Sequence, residues 1–101
     1  MKSGCVFLNL ENSVVLSGKV HFLKGQSEGQ TATGKYIQFA VRQDSEWPEG
    51  PRRDFLTVRV YDTVLREIIM AKQTGDDITV EGALRSSRGS GVNYVRCSSI
   101  K

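Results

Sequence analysis

One stretch of the sequence constrains the fold of this chain more than any other, and it runs from Asp54 to Tyr61. When this stretch is extended, one side carries the aliphatic residues Leu56, Val58 and Val60. The opposite side carries Phe55, Thr57, Arg59 and Tyr61. A period of two over β-branched and aromatic residues predicts a β-strand with its aliphatic side in a core. The other side is unusual for a surface that faces only water, because an arginine lies between two aromatic rings.

The residues alone leave two interpretations of this second side open. Aromatic rings offer flat apolar surfaces on which nucleobases stack, and a guanidinium binds phosphate or stacks on a base. Alternatively, Phe55 and Tyr61 are buried against a partner sheet or a second subunit, and Arg59 is paired to a carboxylate. The first interpretation predicts nucleic-acid binding, and the second predicts a purely structural role.

The size and composition of the chain predict one small domain that covers residues 1–101. Apolar residues make up 39% of the chain and charged residues 25%, which is ordinary for a globular protein with a single core. No apolar run approaches the ~20 residues that a membrane-spanning helix needs. The start of the chain has no small-residue cleavage site of the kind that follows a secretory signal. We therefore expect a cytoplasmic protein with no membrane partner.

The charge of the chain permits a polyanionic partner without requiring one. The sequence has 14 Lys and Arg against 11 Asp and Glu, a formal net charge of +3. All eight arginines lie in the second two-thirds of the chain, where acidic residues are interleaved with them. This distribution is typical of a binding groove rather than of a basic tail.

The two cysteines, Cys5 and Cys97, lie near opposite ends of the chain. Their number is too small for a disulfide scaffold, and their spacing is not that of a zinc site. Terminal strands often pair, which would allow a bridge between the two residues. Buried free thiols are the alternative, and a cytoplasmic protein favours them.

Five segments have the alternation or the β-branched content of strands, and they cover residues 12–23, 34–42, 54–61, 76–85 and 92–100. Gly18 in the first segment predicts a bend at which a strand turns the corner of a barrel. The second segment should point Ile37, Phe39 and Val41 inward, with Ala40 among the residues pointing outward. The fourth should align Ile78, Val80, Gly82 and Leu84 on one face.

The intervening segments predict loops and one helix. Residues 24–33 are polar and contain glycine, and residues 43–53 contain Pro48, Gly50 and Pro51, so both are predicted to be loops. Residues 64–72 are predicted to form a short helix that Asp62 or Thr63 caps and Gly75 ends. Its apolar stripe, which would close one end of a barrel, consists of Val64, Leu65, Ile68 and Ile69.

The order of three strands, one helix and two strands predicts an all-β fold, the oligonucleotide-binding (OB) barrel. This five-stranded barrel has one short helix between strands 3 and 4, and its open face binds single strands or oligosaccharides.

Three segments also resemble the bacterial single-stranded DNA-binding protein family, in the same order along the chain. Residues 12–20 resemble its first strand, and residues 34–42, which end in aromatic-Ala-Val-Arg, resemble its second. Residues 79–85, Thr-Val-Glu-Gly-Ala-Leu-Arg, are similar to its fourth strand. The resemblance implies an oligomeric OB barrel, a dimer or a tetramer, that binds single-stranded DNA with little sequence preference.

The resemblance also implies where bases would stack. Trp47 lies where the family has a hairpin tryptophan, Phe55 replaces a tryptophan of the third strand, and Tyr61 stands for a phenylalanine. The tryptophan usual in the last hairpin is absent, and the region around Arg88 occupies its place. The chain ends at Lys101 without a glycine-rich linker or an acidic tip. It therefore resembles a trimmed core or a short branch, such as primosomal replication protein n or a phage or plasmid paralogue.

The candidate phosphate-binding residues are basic side chains in or beside the predicted strands and hairpins: Lys35, Arg42, Arg52, Arg53, Arg59, Arg85 and Arg88. For each one alone, a solvated surface charge is the competing interpretation. For Trp47, the competing interpretation is packing between subunits, although a Pro- and Gly-rich segment is typical of a surface.

The sequence does not predict an enzyme, a metal site or a cofactor. His21 is the only histidine and has no Asp or Cys at ligand or triad spacing, so it is interpreted as structural. Asp76 and Asp77 open a strand, and the segment 89–91, Gly-Ser-Gly, is a hairpin turn because no helix follows it.

The resulting hypothesis is a single-stranded DNA-binding protein that acts in replication, recombination or primosome assembly, with replication-restart proteins as candidate partners. Two other hypotheses stay open at this point. The same barrel could dock a replication protein while binding DNA weakly or not at all, or it could bind single-stranded RNA.

Overall fold

The computed structural model of the protein describes residues 10–22, 28–31 and 34–101. It contains six strands and one helix in these parts of the chain: β1 (Val14–His21), β2 (Glu28–Thr31), β3 (Gly34–Trp47), β4 (Gly50–Val60), α1 (Thr63–Met70), β5 (Asp77–Ser86) and β6 (Asn93–Ile100). The predicted loop 24–33 was wrong in part, because β2 lies within it and pairs antiparallel with the start of β3.

Five of the strands close into a barrel. The sheet order is β1-β5-β6-β4-β3-β2, and an additional pairing between β1 and β3 joins the sheet to itself. β4 and β6 run parallel, and the other pairs are antiparallel. The predicted five-stranded OB barrel, with its one helix after the third barrel strand, is thereby confirmed, and β2 extends the β3 edge.

Gly18 is the corner at which β1 closes the barrel. Residues Val14 to Lys19 pair with β5, and Lys19 to His21 pair with β3. A side chain at position 18 would collide with the carbonyl oxygen of Arg42, so the two backbones could not approach as closely. The predicted bend at this glycine is therefore correct.

Gly82 marks a second close approach, between β5 and β6. The register of this pair shifts between Glu81 and Gly82, so that β6 carries one extra residue. A Cβ atom on Gly82 would meet the carbonyl oxygen of Arg96.

The core is formed by the inward side chains of the barrel strands together with one residue of α1. Its buried members are Val20, Ile37, Phe39, Val41, Val58, Val60, Ile69, Ile78, Val80, Val95 and Cys97. The predicted alternation of β4 is confirmed, with Leu56, Val58 and Val60 on the core side. The predicted inward residues of β3 are also confirmed.

Two residues depart from the predicted alternation. Ala40 points outward as expected but is buried, and its register partners are His21 of β1 on one side and Thr57 of β4 on the other. Leu84 was expected in the core and is 47% exposed. It lies past the register shift, where the side chain of Asn12 hydrogen-bonds both its N–H and its carbonyl oxygen at 2.8 Å.

The helix α1 closes one end of the barrel through a narrower apolar stripe than predicted. The carboxylate of Asp62 accepts hydrogen bonds from the N–H groups of the first turn and caps the helix. Ile69 is fully buried and Leu65 packs against the core, whereas Val64 and Ile68 are exposed. The predicted end at Gly75 was wrong, since the helix ends at Met70.

Gly75 serves the turn into β5 instead. Its φ of 101° is a left-handed conformation that favours glycine. Its N–H donates to the carbonyl oxygen of Val20 at 2.9 Å, so this turn is tied to the end of β1.

The predicted loop at residues 43–53 was wrong, because β3 and β4 continue through it as a two-stranded arm. Trp47 pairs with Gly50 across a turn at Pro48 and Glu49, and the ladder is unbroken down to Ile37 and Val60. Proline is tolerated in an edge strand, where its nitrogen can face away from the neighbouring strand. Both strands of this arm are edge strands, because no third strand pairs with either of them in the described residues. Gly50 has a φ of 130°, which helps the chain reverse.

Cys97 is a buried free thiol, and burial raises the pKa of this thiol. Its S–H group donates to the carbonyl oxygen of Ser99 at 3.4 Å. Cys5 lies outside the described residues. Among the residues that are described, no helix is long and apolar enough to cross a bilayer.

Replacement of Gly82 by Ala tests the close approach of β5 and β6. We expect Gly82→Ala to lower the free energy of unfolding by about 1–3 kcal/mol, because the new methyl group meets backbone rather than a movable side chain. Urea denaturation followed by circular dichroism measures the change. Val92→Ala, at a side chain that is 58% exposed, is the control and should change stability by less than about 0.5 kcal/mol. Equal stability of Gly82→Ala and wild type would contradict the backbone constraint.

Candidate nucleic-acid interface

The β3–β4 hairpin arm, residues 43–53, and the two residues at its base, Arg42 and Phe55, distribute the predicted site residues over two faces. Successive side chains of a strand point to opposite sides, and opposed residues of paired strands share a side. One side, the outer face, continues the outside of the barrel and carries Arg42, Asp44, Arg53 and Phe55. The opposite face carries Ser45, Trp47 and Arg52. Trp47 and Phe55 are therefore on different faces.

Trp47 is held at the tip of the arm with its ring accessible. Its side chain is 56% exposed. The indole N–H donates to the hydroxyl oxygen of Ser45 at 2.8 Å. Pro51 and Arg52 line a shallow cleft beside it. The ring thus uses its only hydrogen-bond donor locally and presents flat apolar surface to the solvent.

Phe55 lies at the base of the arm, on the outer face, and is 48% exposed. Within the described residues, no second sheet covers it. The ring of His21 packs edge-on against it, with 4.8 Å between centroids and an interplanar angle of 63°. The sequence interpretation of His21 as structural missed this contact, which brings β1 to the edge of the candidate site.

Arg59 and Tyr61 belong to a larger group on the outside of the barrel. We call it the tyrosine–arginine cluster, and its members are Tyr36, Arg59, Tyr61, Tyr94 and Arg96. The guanidinium carbon of Arg59 lies 4.8 Å from the ring centroid of Tyr36 and 4.2 Å from that of Tyr94. The guanidinium carbon of Arg96 lies 4.4 Å from the centroid of Tyr61. These are cation–π distances.

The cluster is held together by further contacts. The rings of Tyr36 and Tyr61 are 5.2 Å apart. The Nε of Arg59 donates to the side-chain oxygen of Gln38 at 2.8 Å. Among the described residues, Arg59 is therefore paired with an amide and two rings, whereas the structural interpretation expected a carboxylate.

The sequence did not identify Tyr36, Tyr94, Arg96 or Gln38 as site residues. The parallel register of β4 and β6, which places Arg59 opposite Arg96, brings the two strands together across more than thirty intervening residues. The alternation of β3 does place Tyr36 and Gln38 on its outward side, and this was the sequence signal that could have identified them. No pattern within β4 or β6 indicated that these two strands would be neighbours.

The pKa of the Tyr61 phenol is raised from its ordinary value of 10.0. Burial is the main cause, and the hydrogen bond and charge interaction with Tyr94 act in the same direction, while Arg59 opposes them. At neutral pH the phenol is uncharged and takes part in the cluster as a ring.

The arginines of the arm form ion pairs with carboxylates. Arg53 Nε lies 2.9 Å from Asp44 Oδ1, and Arg42 Nη2 lies 3.5 Å from Asp44 Oδ2. On the opposite face, Arg52 Nε lies 3.0 Å from Asp54 Oδ1. Exposed pairs of this kind contribute only about 0–1 kcal/mol, so a phosphate could replace the carboxylate with little loss of stability.

The remaining basic candidates are more dispersed. Arg85 is exposed on the outer surface of β5, opposite Tyr94 in the register, and so lies beside the tyrosine–arginine cluster. Arg88 is exposed in the turn between β5 and β6. Lys35 is exposed at the start of β3, on the side opposite to Tyr36. The structure thus brings Arg85 to the cluster and leaves Arg88 and Lys35 in the periphery.

No group of three or more His, Cys, Asp or Glu side chains that could hold a metal ion occurs in residues 10–22, 28–31 and 34–101.

The fold matches solved structures of several single-stranded DNA-binding proteins. The small single-stranded DNA-binding protein from Streptomyces coelicolor has a TM-score of 0.70 at 16% identity, over 92% of this chain and 94% of that one. Plasmodium falciparum SSB in complex with ssDNA has a TM-score of 0.70 at 17% identity, over 92% and 91%. The dimeric N-terminal domain of PriB from Thermoanaerobacter tencongensis has a TM-score of 0.64 at 22% identity, over 89% and 93%.

At these identities the likeness shows a shared fold, and the fold that the sequence resemblance implies is confirmed. No protein-family model matches the chain, and no curated protein matches it by sequence.

The ionisation of Tyr61 provides a test of the cluster. We expect one phenol of the folded protein to ionise above pH 10, and Tyr61→Phe to remove that component from the tyrosine absorbance titration. A raised pKa means that folding favours the neutral phenol, so its stabilising effect is present below the unfolded pKa and is lost as pH rises through the folded pKa. Unfolding free energies measured at alkaline pH should therefore decline less steeply in the variant. A removed component that titrates at or below pH 10 would contradict the burial of this phenol.

Proposed function

We propose that this protein binds single-stranded DNA in the cytoplasm with little sequence preference, as part of replication, recombination or primosome assembly, and that it is not an enzyme. One observation carries the proposal: an OB barrel holds Trp47 and Phe55, two large rings about half exposed, at the tip and at the base of a projecting arm. Stacking of a base on an aromatic ring contributes about 1–3 kcal/mol. The names of structurally similar proteins support this proposal, since they include single-stranded DNA-binding proteins and a complex with ssDNA.

The chemistry of the two rings accounts for the low sequence preference. Phe55 has no hydrogen-bonding group, and the indole N–H of Trp47 is already bonded to Ser45. Neither ring offers a free donor or acceptor to a base edge, and every base has a face that can stack. The rings would therefore hold bases without distinguishing them.

The two faces of the arm determine how a DNA strand could bind it. Because Trp47 and Phe55 point to opposite faces, one DNA strand contacts both rings only if it crosses an edge of the arm. The edges beyond the barrel have no neighbouring strand in the described residues. Arg52 on one face, and Arg42 and Arg53 on the other, would meet the phosphates of the strand as it crosses.

Because Arg59 and Tyr61 belong to the tyrosine–arginine cluster, we propose that they contribute to DNA binding less directly than Trp47 and Phe55. The guanidinium of Arg59 lies against two rings and Gln38, so its principal effect is to position Tyr36 and Tyr94. Tyr61 is partly covered by Arg96 and Tyr36. A base would meet the outside of this cluster, with Arg85 beside it as a phosphate contact.

We also propose that the protein is a homo-oligomer, a dimer or a tetramer. The part of β1 before Lys19 pairs with β5 on one side, and no described strand pairs with its other edge. Leu10 and Val15 are exposed apolar residues of this region. Pairing or packing with a second copy would cover them.

A second candidate function is the docking of a replication-restart protein. The observation that favours it is a pair of exposed apolar residues one turn apart on α1, Val64 and Ile68. Single-stranded RNA is a third candidate ligand, because stacking on rings does not depend on the sugar.

Titration with oligo-dT tests the main proposal. Trp47 is the only tryptophan, so we expect oligo-dT to quench the intrinsic fluorescence of the protein. If Z phosphates are contacted, the logarithm of the association constant should fall against the logarithm of the salt concentration with a slope near −0.7Z. Unchanged fluorescence together with no binding by anisotropy would favour the protein-docking function. Equal or tighter binding of oligo-U would favour RNA.

Replacement of the two rings tests the stacking surfaces. We expect Trp47→Ala and Phe55→Ala each to weaken the binding of fluorescein-labelled oligo-dT by about 1–3 kcal/mol, or roughly tenfold to a hundredfold. Trp47→Phe retains a ring and should lose less. The exposed Val64→Ala, on α1 and outside the proposed DNA contacts, is the control. Wild-type affinity of both ring-to-alanine variants would remove these residues from the interface.

A further inference from the structure

Asp44 lies between two arginines on the outer face of the hairpin arm. One of its carboxylate oxygens is 2.9 Å from Arg53 Nε, and the other is 3.5 Å from Arg42 Nη2. An internucleotide phosphate bound by two guanidinium groups would be held in the same way, with one oxygen to each. We propose that Arg42 and Arg53 form a phosphate-binding subsite that the carboxylate of Asp44 fills in the free protein. This inference rests on the proposed function.

The charges and the accessibility of the three groups fit such a subsite. Two cations and one anion leave a net charge of +1, which a second anion can neutralise. The side chain of Arg53 is 59% exposed and that of Asp44 is 49% exposed, so a ligand can reach both. Exposed ion pairs are weak, and the carboxylate can therefore be displaced.

Arg42 is incompletely satisfied by Asp44. Its Nε is buried and has no hydrogen-bond partner, and its ion pair with Asp44 is long, at 3.5 Å. A buried donor without an acceptor is uncommon in folded proteins. Rotation of the Asp44 carboxylate, or its replacement by a phosphate that approaches more closely, would leave Arg42 better paired.

The position of the subsite relates it to base stacking. Arg42 is directly opposite Phe55 in the β3–β4 register, and Asp44 is directly opposite Arg53. A nucleotide whose base lies on Phe55 would therefore have its phosphate close to the two arginines. Asp44 also lies where two shallow clefts meet, one along the arm with Arg53 and one beside β1 with Lys19.

The consequence is that Asp44 limits the affinity for DNA. Binding must either displace its carboxylate or place a phosphate beside a like charge, and both lower the affinity. The Arg52–Asp54 pair on the opposite face differs, because among the described ion pairs its carboxylate meets a single guanidinium.

Asp44→Asn tests the inference. It removes the charge and keeps a side chain of nearly the same shape. We expect it to bind oligo-dT roughly twofold to fivefold more tightly than wild type at low salt, since the carboxylate no longer competes for the two arginines and exposed ion pairs contribute up to about 1 kcal/mol. The salt dependence should steepen by about 0.7 in slope for each additional phosphate that the arginines bind. Glu67→Gln, on the exposed side of α1, is the matched control. It changes the net charge by the same amount and should have a smaller effect.

A double-mutant cycle with Arg53→Gln shows whether this arginine binds the phosphate. We expect Arg53→Gln to weaken binding more in the Asp44→Asn background than in wild type, because only there is Arg53 released from the carboxylate. Circular dichroism checks that each variant is folded. If Asp44→Asn binds oligo-dT no more tightly than Glu67→Gln does, the inference is overturned. In that case the binding of oligo-dT by the wild type would still support the proposed function. A wild type that does not bind oligo-dT overturns both.

Discussion

The unbroken antiparallel register between β3 and β4 determines where most of the candidate site residues lie. Within the barrel, this register separates the core side chains from the outward row that includes Phe55 and Arg59. Beyond the barrel it continues into the arm, so the same alternation places Trp47 on the other face. Because the barrel closes at Gly18, the end of β1 pairs with β3, and the ring of His21 packs against the ring of Phe55. The positions of the candidate site residues therefore depend on strand pairing more than on any loop.

The sequence was sufficient for the fold because its strongest signals were local. Alternation located the barrel strands, and Gly18 indicated the corner, since close contact between backbones excludes a side chain. The loop prediction for residues 43–53 was wrong because Pro48 and Pro51 would break a central strand. On a two-stranded arm with open edges, proline is readily accommodated, and the ladder continues past it. The prediction for α1 placed too many residues against the barrel. Periodicity shows which residues share a side of a helix, but it does not show how many of them the end of the barrel covers.

The candidate site was predictable only in part. Exposure of Trp47 and Phe55 followed from their strand and hairpin positions, but the partners of Arg59 did not. Tyr94 and Arg96 reach it through the parallel pairing of β4 with β6, which has no signature in either segment. The ion pairs of the arm were equally hidden, because they depend on which carboxylate lies across from which arginine. Whether these residues contact DNA stays a prediction that the binding experiments address.

The location of the single tryptophan has a consequence for spectroscopy. Trp47 lies at the tip of the arm and outside the core that contains Phe39 and Val58, and just over half of its surface is already exposed in the native state. Its emission should change little when the barrel melts, so a fluorescence-detected denaturation curve would underreport the global transition. Because the indole does not contact the core, a change in its emission would report a ligand that binds at the arm. Unfolding of the barrel is better followed by the fluorescence of the tyrosines, which pack together on the outside of the barrel.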